Sequence, residues 1–238
     1  MPAWRTAAIL LLISVLMPVT IVRADEPPWK QVLKDKNLVV FNRDVEGSPI
    51  REIKAEFVVQ APTWRVCAVV CDFDKYSDFM PFTIVSKVLS NRTIDDDQAE
   101  TTFFTAITPP LVTCRYYTLD IVRQKRYEGK VGWFKVAWEM SRKADLDWKN
   151  PKVRKLFPET FSAPMKVNVN RGHWILEPID QDRHTKIHYY VHADPAGNLP
   201  PFLTNKANYV MFPKLRNAVI ERVVDSRYDA YKPKQGAR

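Results

Sequence analysis

Most of this chain alternates apolar and polar side chains, and one long helical pattern follows near its end. Residues 50–60 show the alternation clearly, since Ile53, Ala55, Phe57 and Val59 fall on one face of a strand. A period of two is typical of a strand that is buried on one side. Similar patterns predict further strands at residues 38–45, 86–92, 100–107, 115–125, 131–142, 165–178 and 186–193.

Three helices are predicted around these strands. Trp29, Val32 and Leu33 have helical spacing and predict a short opening helix. Thr63 is a candidate N-cap for a second helix that ends near Tyr76. The third carries a long apolar stripe from Leu203 to Ser226, in which Pro213 either kinks the helix or begins its second half.

A sheet with one apolar face needs a cover, and the last helix is the longest element able to supply it. The predicted fold class is therefore α+β, with a curved antiparallel sheet wrapped around a long C-terminal helix. Such a sheet leaves an interior volume that side chains alone do not fill. Residues Asp145–Thr160 are polar and interrupted by proline, and we interpret them as a long exposed excursion.

The N-terminus has the features of an export signal. Arg5 precedes an uncharged apolar run over residues 6–22, and Val22-Arg23-Ala24 favours cleavage after Ala24. The domain prediction is thus a signal peptide at 1–24, one ligand-binding domain at 25–231 and a disordered tail at 232–238. The expected location is periplasmic or secreted, and the alternative is a membrane anchor formed by an uncleaved N-terminal segment.

Charge and cysteine content restrict the partners. Removing Arg5 and Arg23 lowers the formal net charge from +9 to +7, with no long block of like charges. This favours a solvated cationic surface, or transient contact with an anionic membrane, and no nucleic-acid partner is expected. Cys67 and Cys71 share a helix face and are expected to be free thiols, or a strained disulfide, with Cys114 left over. A monomer is expected.

Four segments together resemble the START (steroidogenic acute regulatory protein-related lipid transfer) family, over about Trp29 to Tyr228. The first resembles the family's first long-helix region, with Ala61-Pro62, Val66, Val69, Asp72-Phe73-Asp74, Tyr76, Phe79 and Met80-Pro81. The second is Pro109-Pro110-Leu111 before Arg115. The third is Gly172-x-Trp174-x-Leu176-x-Pro178. The fourth is Asp194-Pro195-Ala196-Gly197-Asn198-Leu199-Pro200, followed by Phe202-Leu203 and Asn205.

The resemblance implies a bacterial-type exported member of the helix-grip, or Bet v 1-like, superfamily. It implies a lipid- or sterol-sized cavity, a mobile lid near the final helix and usually no catalysis. Two departures stand out. Tyr116 follows Arg115 where the family has an acidic residue, and Ala196-Gly197 replaces a glycine pair. The first departure weakens any expectation of a buried salt bridge at Arg115.

The candidate ligand-binding residues are mostly large apolar side chains on predicted inner strand faces. For each of them, core packing is the alternative to lining a cavity. Arg115 shares a strand face with Tyr117, so it either meets a polar head group, a carboxylate or cavity water, or lies outside at the rim. A change of phase between Val169 and Trp174 predicts a bulge at Arg171-Gly172. The full set is Phe104, Arg115, Tyr117, Phe134, Trp138, Trp174, Tyr189, Phe202 and Met211.

Catalytic motifs are absent from the sequence. The four histidines lack metal-like spacing, and no nucleophile elbow or phosphate loop occurs, so no metal or cofactor is expected. The leading hypothesis is non-enzymatic binding, and transfer, of a hydrophobic ligand such as a lipid or sterol. The alternatives are a helix-grip enzyme, a cyclase or hydrolase with Arg115 and Glu100 as candidate inward groups, and an interaction module with a collapsed cavity.

Overall fold

The computed structural model describes residues 27–110, 112–159, 163–197 and 199–233, without the side chains of 201 and 203–209. The predicted signal peptide at 1–24 and the tail residues 234–238 lie outside this part of the chain. Within it, no helix is both long enough and apolar enough to cross a membrane.

Ten strands form one curved, unclosed sheet, which confirms the predicted α+β class. Its spatial order is β1-β2-β3-β10-β9-β7-β6-β5-β4, with antiparallel neighbours throughout, and β8 pairs in parallel with β6. The strands are β1 Lys30–Asp35, β2 Leu38–Val45, β3 Ser48–Val59, β4 Thr83–Thr93, β5 Gln98–Ile107, β6 Arg115–Lys125, β7 Phe134–Met140, β8 Met165–Lys166, β9 Val169–Ile179 and β10 His184–Asp194.

The α-helices are α1 Thr63–Val70, α2 Tyr76–Phe79, α3 Pro151–Arg154 and α4 Pro201–Arg222. Short 3₁₀ helices lie at Phe73–Lys75, Tyr127–Gly129 and Ser226–Tyr231. Helix α4 runs through Pro213 as one element, and its buried residues Phe212, Leu215 and Val219 join the main core. We call the sheet face toward this core the inner face and the opposite one the outer face.

The predicted opening helix at residues 29–33 is wrong, because these residues enter a β-hairpin. Strand β1 pairs with β2 through a tight turn in which Asp35 opposes Leu38. Lys36 takes a positive φ of 51° in this turn, a conformation that a two-residue hairpin loop requires. Pairing between strands therefore overrides a helical spacing that covers barely one turn.

The second helix is shorter than predicted and is capped differently. It ends at Val70 instead of near Tyr76, and the 3₁₀ turn and α2 follow. Thr63 is its first residue, not its cap, and donates from both its backbone N–H and its hydroxyl to Asp182 Oδ1 at 2.8 and 2.9 Å. A carboxylate from the β9–β10 hairpin thus satisfies the helix N-terminus.

The predicted bulge at Arg171-Gly172 is also wrong. The β9–β10 ladder runs through Gly172 without a shift, and the change of phase falls in the break between β8 and β9. Glycine is needed at 172 for space. A Cβ atom there would lie 2.2 Å from the Tyr190 carbonyl oxygen and 2.5 Å from the Trp138 ring.

The excursion at Asp145–Thr160 is not simply exposed. Val153 and Phe157 are buried in a second cluster on the outer face, together with Phe104 and Tyr116. Trp148 packs on Phe157 with ring centroids 4.5 Å apart. The apolar residues of this segment follow neither a strand nor a helix period, so their packing could not be predicted from the sequence.

Candidate functional site

An aromatic group lies at the centre of the inner face, where β6, β7, β9 and β10 run side by side. Tyr189 is in its middle, with ring centroids 4.4 Å from Trp174, 5.5 Å from Trp138 and 5.7 Å from Phe212. The ladder pairs Tyr189 directly with Trp174. Because three different strands and α4 contribute rings, the group joins the sheet to its helical cover.

Tyr117 and Tyr189 are only half-buried, although several of their neighbours on the same face are closed off. Leu176, for example, is 0% exposed, and Phe212 is 1% exposed. Desolvation by surrounding protein nevertheless raises the pKa of Tyr117 to about 12, and it raises the pKa of Tyr189 further. Surface that stays accessible although protein surrounds it makes Tyr117 and Tyr189 the candidate lining of a ligand-binding space between the sheet and α4, which we call the internal space.

Polar atoms also reach this part of the inner face. The Trp138 indole Nε1–H donates to Asn170 Oδ1 at 2.9 Å. The Asn170 side chain lies beside the Tyr117 hydroxyl, where it lowers the pKa of that phenol against the larger effect of desolvation. Asn170 was missed from the sequence. A strand beginning at Val169 puts it in phase with Trp174 and Leu176, which was the available signal.

Arg115 is the first residue of β6 and is 2% exposed, so the rim alternative is wrong. Its guanidinium donates to three backbone carbonyls: Nε to Pro195 at 2.7 Å, Nη1 to Thr113 at 2.8 Å and Nη2 to Ala196 at 3.4 Å. Nη1 also donates to the Thr113 hydroxyl. These contacts use four of the five guanidinium N–H groups, and those to Pro195 and Ala196 fix the loop that leads into α4.

The prediction that Phe104 belongs to the ligand-binding residues needs a correction. Phe104 is 0% exposed on the outer face, where its ring packs 6.2 Å from Tyr116 and 6.0 Å from Phe157. It therefore does not border the internal space. The adjacent Phe103 points inward and joins the main core. Residues 101–106 are all buried, so both faces of this strand are covered, and alternation could not choose between these two phenylalanines.

The remaining predicted residues have varied surroundings. Trp174 is buried in the main core, and Phe134 and Trp138 are half-buried against it. Met211 on α4 is half-buried, whereas Phe202 at the start of that helix is 67% exposed. The structure thus brings Tyr117, Trp138, Trp174 and Tyr189 together and leaves Phe104 and Phe202 apart from them.

Two open clefts are also present, and Trp138 of the aromatic group lines the second of them. One, of about 290 Å³, separates the turn after α2 from α4, between Phe82 and Lys214. The other, of about 430 Å³, is bordered by charged residues at the strands β5, β6 and β7, with Glu100, Asp120, Glu139, Arg142 and Lys143 among them. Tyr117 and Tyr189 line neither cleft.

The candidate catalytic pair is not assembled. Glu100 pairs with Arg92 and Lys143 at 2.8 and 2.9 Å, and these cations hold its pKa below the ordinary range. Arg115 is committed to backbone carbonyls instead. Among the described residues, no three His, Cys, Asp or Glu side chains are placed to share a metal ion. The three cysteines are free thiols, with Cys67 and Cys71 Sγ atoms 4.0 Å apart.

The architecture defines a START-like helix-grip fold. Solved structures with this fold include the STAR-related lipid transfer protein of Xanthomonas axonopodis (TM-score 0.66, 20% identity, 83% of this chain and 99% of that one). Human STARD10 is similar (0.65, 14%, 86% and 75%), as is human StAR-related lipid transfer protein 5 (0.62, 13%, 82% and 86%). Sequence comparison found no matching family model and no matching curated protein.

Proposed function

We propose that this protein binds a hydrophobic ligand between the sheet and α4, without catalysing a reaction, and transfers it through water. The observation that carries the proposal is the enclosed yet accessible surface of Tyr117 and Tyr189. Likeness of fold to proteins named for lipid transfer supports it. Each buried methylene of such a ligand contributes about 0.8 kcal/mol, so even a narrow space can give useful affinity.

The test is organic extraction of the purified protein followed by mass spectrometry, together with thermal melting in the presence of sterols, phospholipids and fatty acids. We expect a co-purifying apolar compound, and a rise in melting temperature with at least one lipid class. An empty extract, combined with no shift for any class, would contradict the proposal.

Two tryptophans provide a matched pair of variants for this test. Trp138 belongs to the inner aromatic group, and Trp148 belongs to the outer cluster. We expect Trp138→Ala to reduce the amount of extracted compound and Trp148→Ala to leave it unchanged. Equal losses in both variants would indicate general destabilisation and would remove this support for an inner site.

Export, a monomeric state and transient contact with anionic membranes remain part of the proposal. An extracytoplasmic carrier suits a ligand that must cross an aqueous compartment, and the uncharged run over residues 6–22 motivates it. N-terminal sequencing of the protein recovered outside the cytoplasm should begin at Asp25. Retention of the first residues in a membrane fraction would favour the anchor alternative.

A further inference from the structure

The hydroxyl group of Tyr189 is enclosed by protein but has no hydrogen-bond partner in the described part of the chain. Fully buried side-chain atoms without a partner there are Arg123 Nε, His192 Nδ1 and Arg222 Nη2. The Tyr189 oxygen is not among these closed-off atoms, so it keeps accessible surface. A phenol in this position offers a donor and an acceptor to whatever fills the internal space.

A second hydroxyl is close by. The Tyr117 phenol is close enough to Tyr189 to raise the pKa of the Tyr189 hydroxyl. Tyr76 is also near, but its hydroxyl is already used because it donates to the Val70 carbonyl at 2.5 Å. Asn170 completes the group beside Tyr117, with its Oδ1 held by Trp138. We call Tyr117, Asn170 and Tyr189 the inner polar group.

Among the described residues, no charged side chain is near enough to shift the pKa of Tyr117 or Tyr189. The pKa of Tyr117 responds to desolvation and Asn170, and that of Tyr189 responds to desolvation and Tyr117. Arg115, two residues from Tyr117 on the same strand face, spends its donors on the loop before α4. An anionic head group here would be desolvated without a cation, at a cost of several kcal/mol.

The free-energy cost of burial is smaller for a neutral oxygen atom of a ligand than for an anionic head group. Burying a hydroxyl or carbonyl without a partner costs about 1–3 kcal/mol, and two phenols can remove that cost. The flanking aromatic rings of Trp138, Trp174 and Phe212 suit the apolar remainder of such a molecule.

Resting on the proposed function, we infer that the ligand is an apolar molecule with one neutral oxygen group, a hydroxyl or a carbonyl, held by Tyr117 and Tyr189. Long-chain alcohols, sterols and ketones fit this class, whereas ionised fatty acids do not. The two tyrosines would therefore select the ligand's functional group, and the aromatic rings would accept its hydrocarbon part.

Three probes of equal chain length test the inference: dodecan-1-ol, dodecane and dodecanoate. Each competes at pH 8 with the neutral dye Nile red bound to the full-length protein. We expect dodecan-1-ol to displace the dye at about tenfold lower concentration than dodecane, a ratio equivalent to one or two net hydrogen bonds. Dodecanoate should be the weakest competitor.

The variants Tyr117→Phe and Tyr189→Phe, singly and together, should bring dodecan-1-ol down to the level of dodecane. Unchanged displacement by dodecane shows that the variants remain folded. Tyr116→Phe is the matched control, since it removes the same hydroxyl one residue away on the outer face, and the preference for the alcohol should survive it.

Two results would overturn the inference while leaving hydrophobic binding intact. Equal displacement by dodecan-1-ol and dodecane would mean that the hydroxyls bind only water. Displacement by dodecanoate as strong as by the alcohol would mean that the site accepts charge. Failure of all three probes to displace the dye would instead count against the proposed function itself, and the inference would fall with it.

Discussion

The inner and outer faces of the sheet both carry an aromatic cluster, and the strands β5 and β6 contribute aromatic residues to both faces. Strand β5 sends Phe103 inward and Phe104 outward, and β6 sends Tyr117 inward and Tyr116 outward. The outer members are closed off, at 0% exposure for Phe104 and 4% for Tyr116. Tyr117, by contrast, keeps accessible surface.

The difference lies in what covers each face. A short excursion with α3 lies on the outer cluster, and Phe157 packs edge-on against both Phe104 and Tyr116. Helices α1 and α4 both cover the inner face, and Tyr117 and Tyr189 keep accessible surface beneath this cover. Dense packing gives stability, whereas incomplete packing beneath a helix leaves room for a ligand.

The largest expected effect is on the stability of the outer cluster. Phe104→Ala should lower the free energy of unfolding by about 3–5 kcal/mol, because it leaves a cavity in a closed environment. Urea unfolding measures this loss. Phe202→Ala is the control, since that ring is 67% exposed, and it should change stability by less than about 0.5 kcal/mol. A similarly small loss at Phe104 would show that the outer cluster is not a packed core.

Arg115 is buried at the start of β6, and its replacement should give the next largest effect. Arg115→Met removes charged hydrogen bonds to three carbonyls, so we expect a loss of about 2–3 kcal/mol in unfolding experiments. Arg92→Met is the matched control. Its guanidinium is largely exposed beside Glu100, and such surface pairs contribute about 0–1 kcal/mol. Equal effects would show that the loop before α4 does not depend on Arg115.

The sequence predicted most of the strands, because their side chains alternate, and it predicted the long final helix. It failed where pairing or packing with another segment decides the structure. The hairpin at β1, the carboxylate of Asp182 at the start of α1 and the packing of Phe157 on the outer face are examples. In each of these cases the local pattern does not identify the partner.

The candidate site was predictable only in part, for a related reason. Alternation put Tyr117 and Tyr189 on inner faces, and the structure groups them with Trp138 and Trp174. It could not show that Arg115 would be used up by backbone carbonyls, since loop carbonyls carry no sequence signal. Nor could it choose Phe103 over Phe104 on a strand that is buried on both sides.

Gly172 lies against the Trp138 ring of the inner aromatic group, and its substitution should have an intermediate effect on stability. Gly172→Ala places a methyl group against the Trp138 ring, so we expect a loss of about 1–3 kcal/mol and a changed tryptophan emission spectrum. Gly47→Ala is the comparison variant. It meets no atom within 4 Å but has a φ of +71°, so it should cost about 1–2 kcal/mol with unchanged emission. Identical spectra for both variants would contradict the close approach of Trp138 to Gly172.

The smallest effect distinguishes the two faces most directly, because it compares neighbouring residues with the same chemistry. The Tyr116 hydroxyl accepts a hydrogen bond from the Trp148 backbone N–H at 3.2 Å, whereas the Tyr117 hydroxyl borders the internal space. Tyr116→Phe should therefore cost about 1 kcal/mol in urea unfolding and leave Nile red binding unchanged. Tyr117→Phe should leave stability nearly unchanged, because the hydroxyl it removes lies beside the Asn170 side chain and borders the internal space. If Tyr117→Phe proved the more destabilising of the two, the inner hydroxyl would have a structural role, and the contrast between a packed outer face and an open inner face would fail.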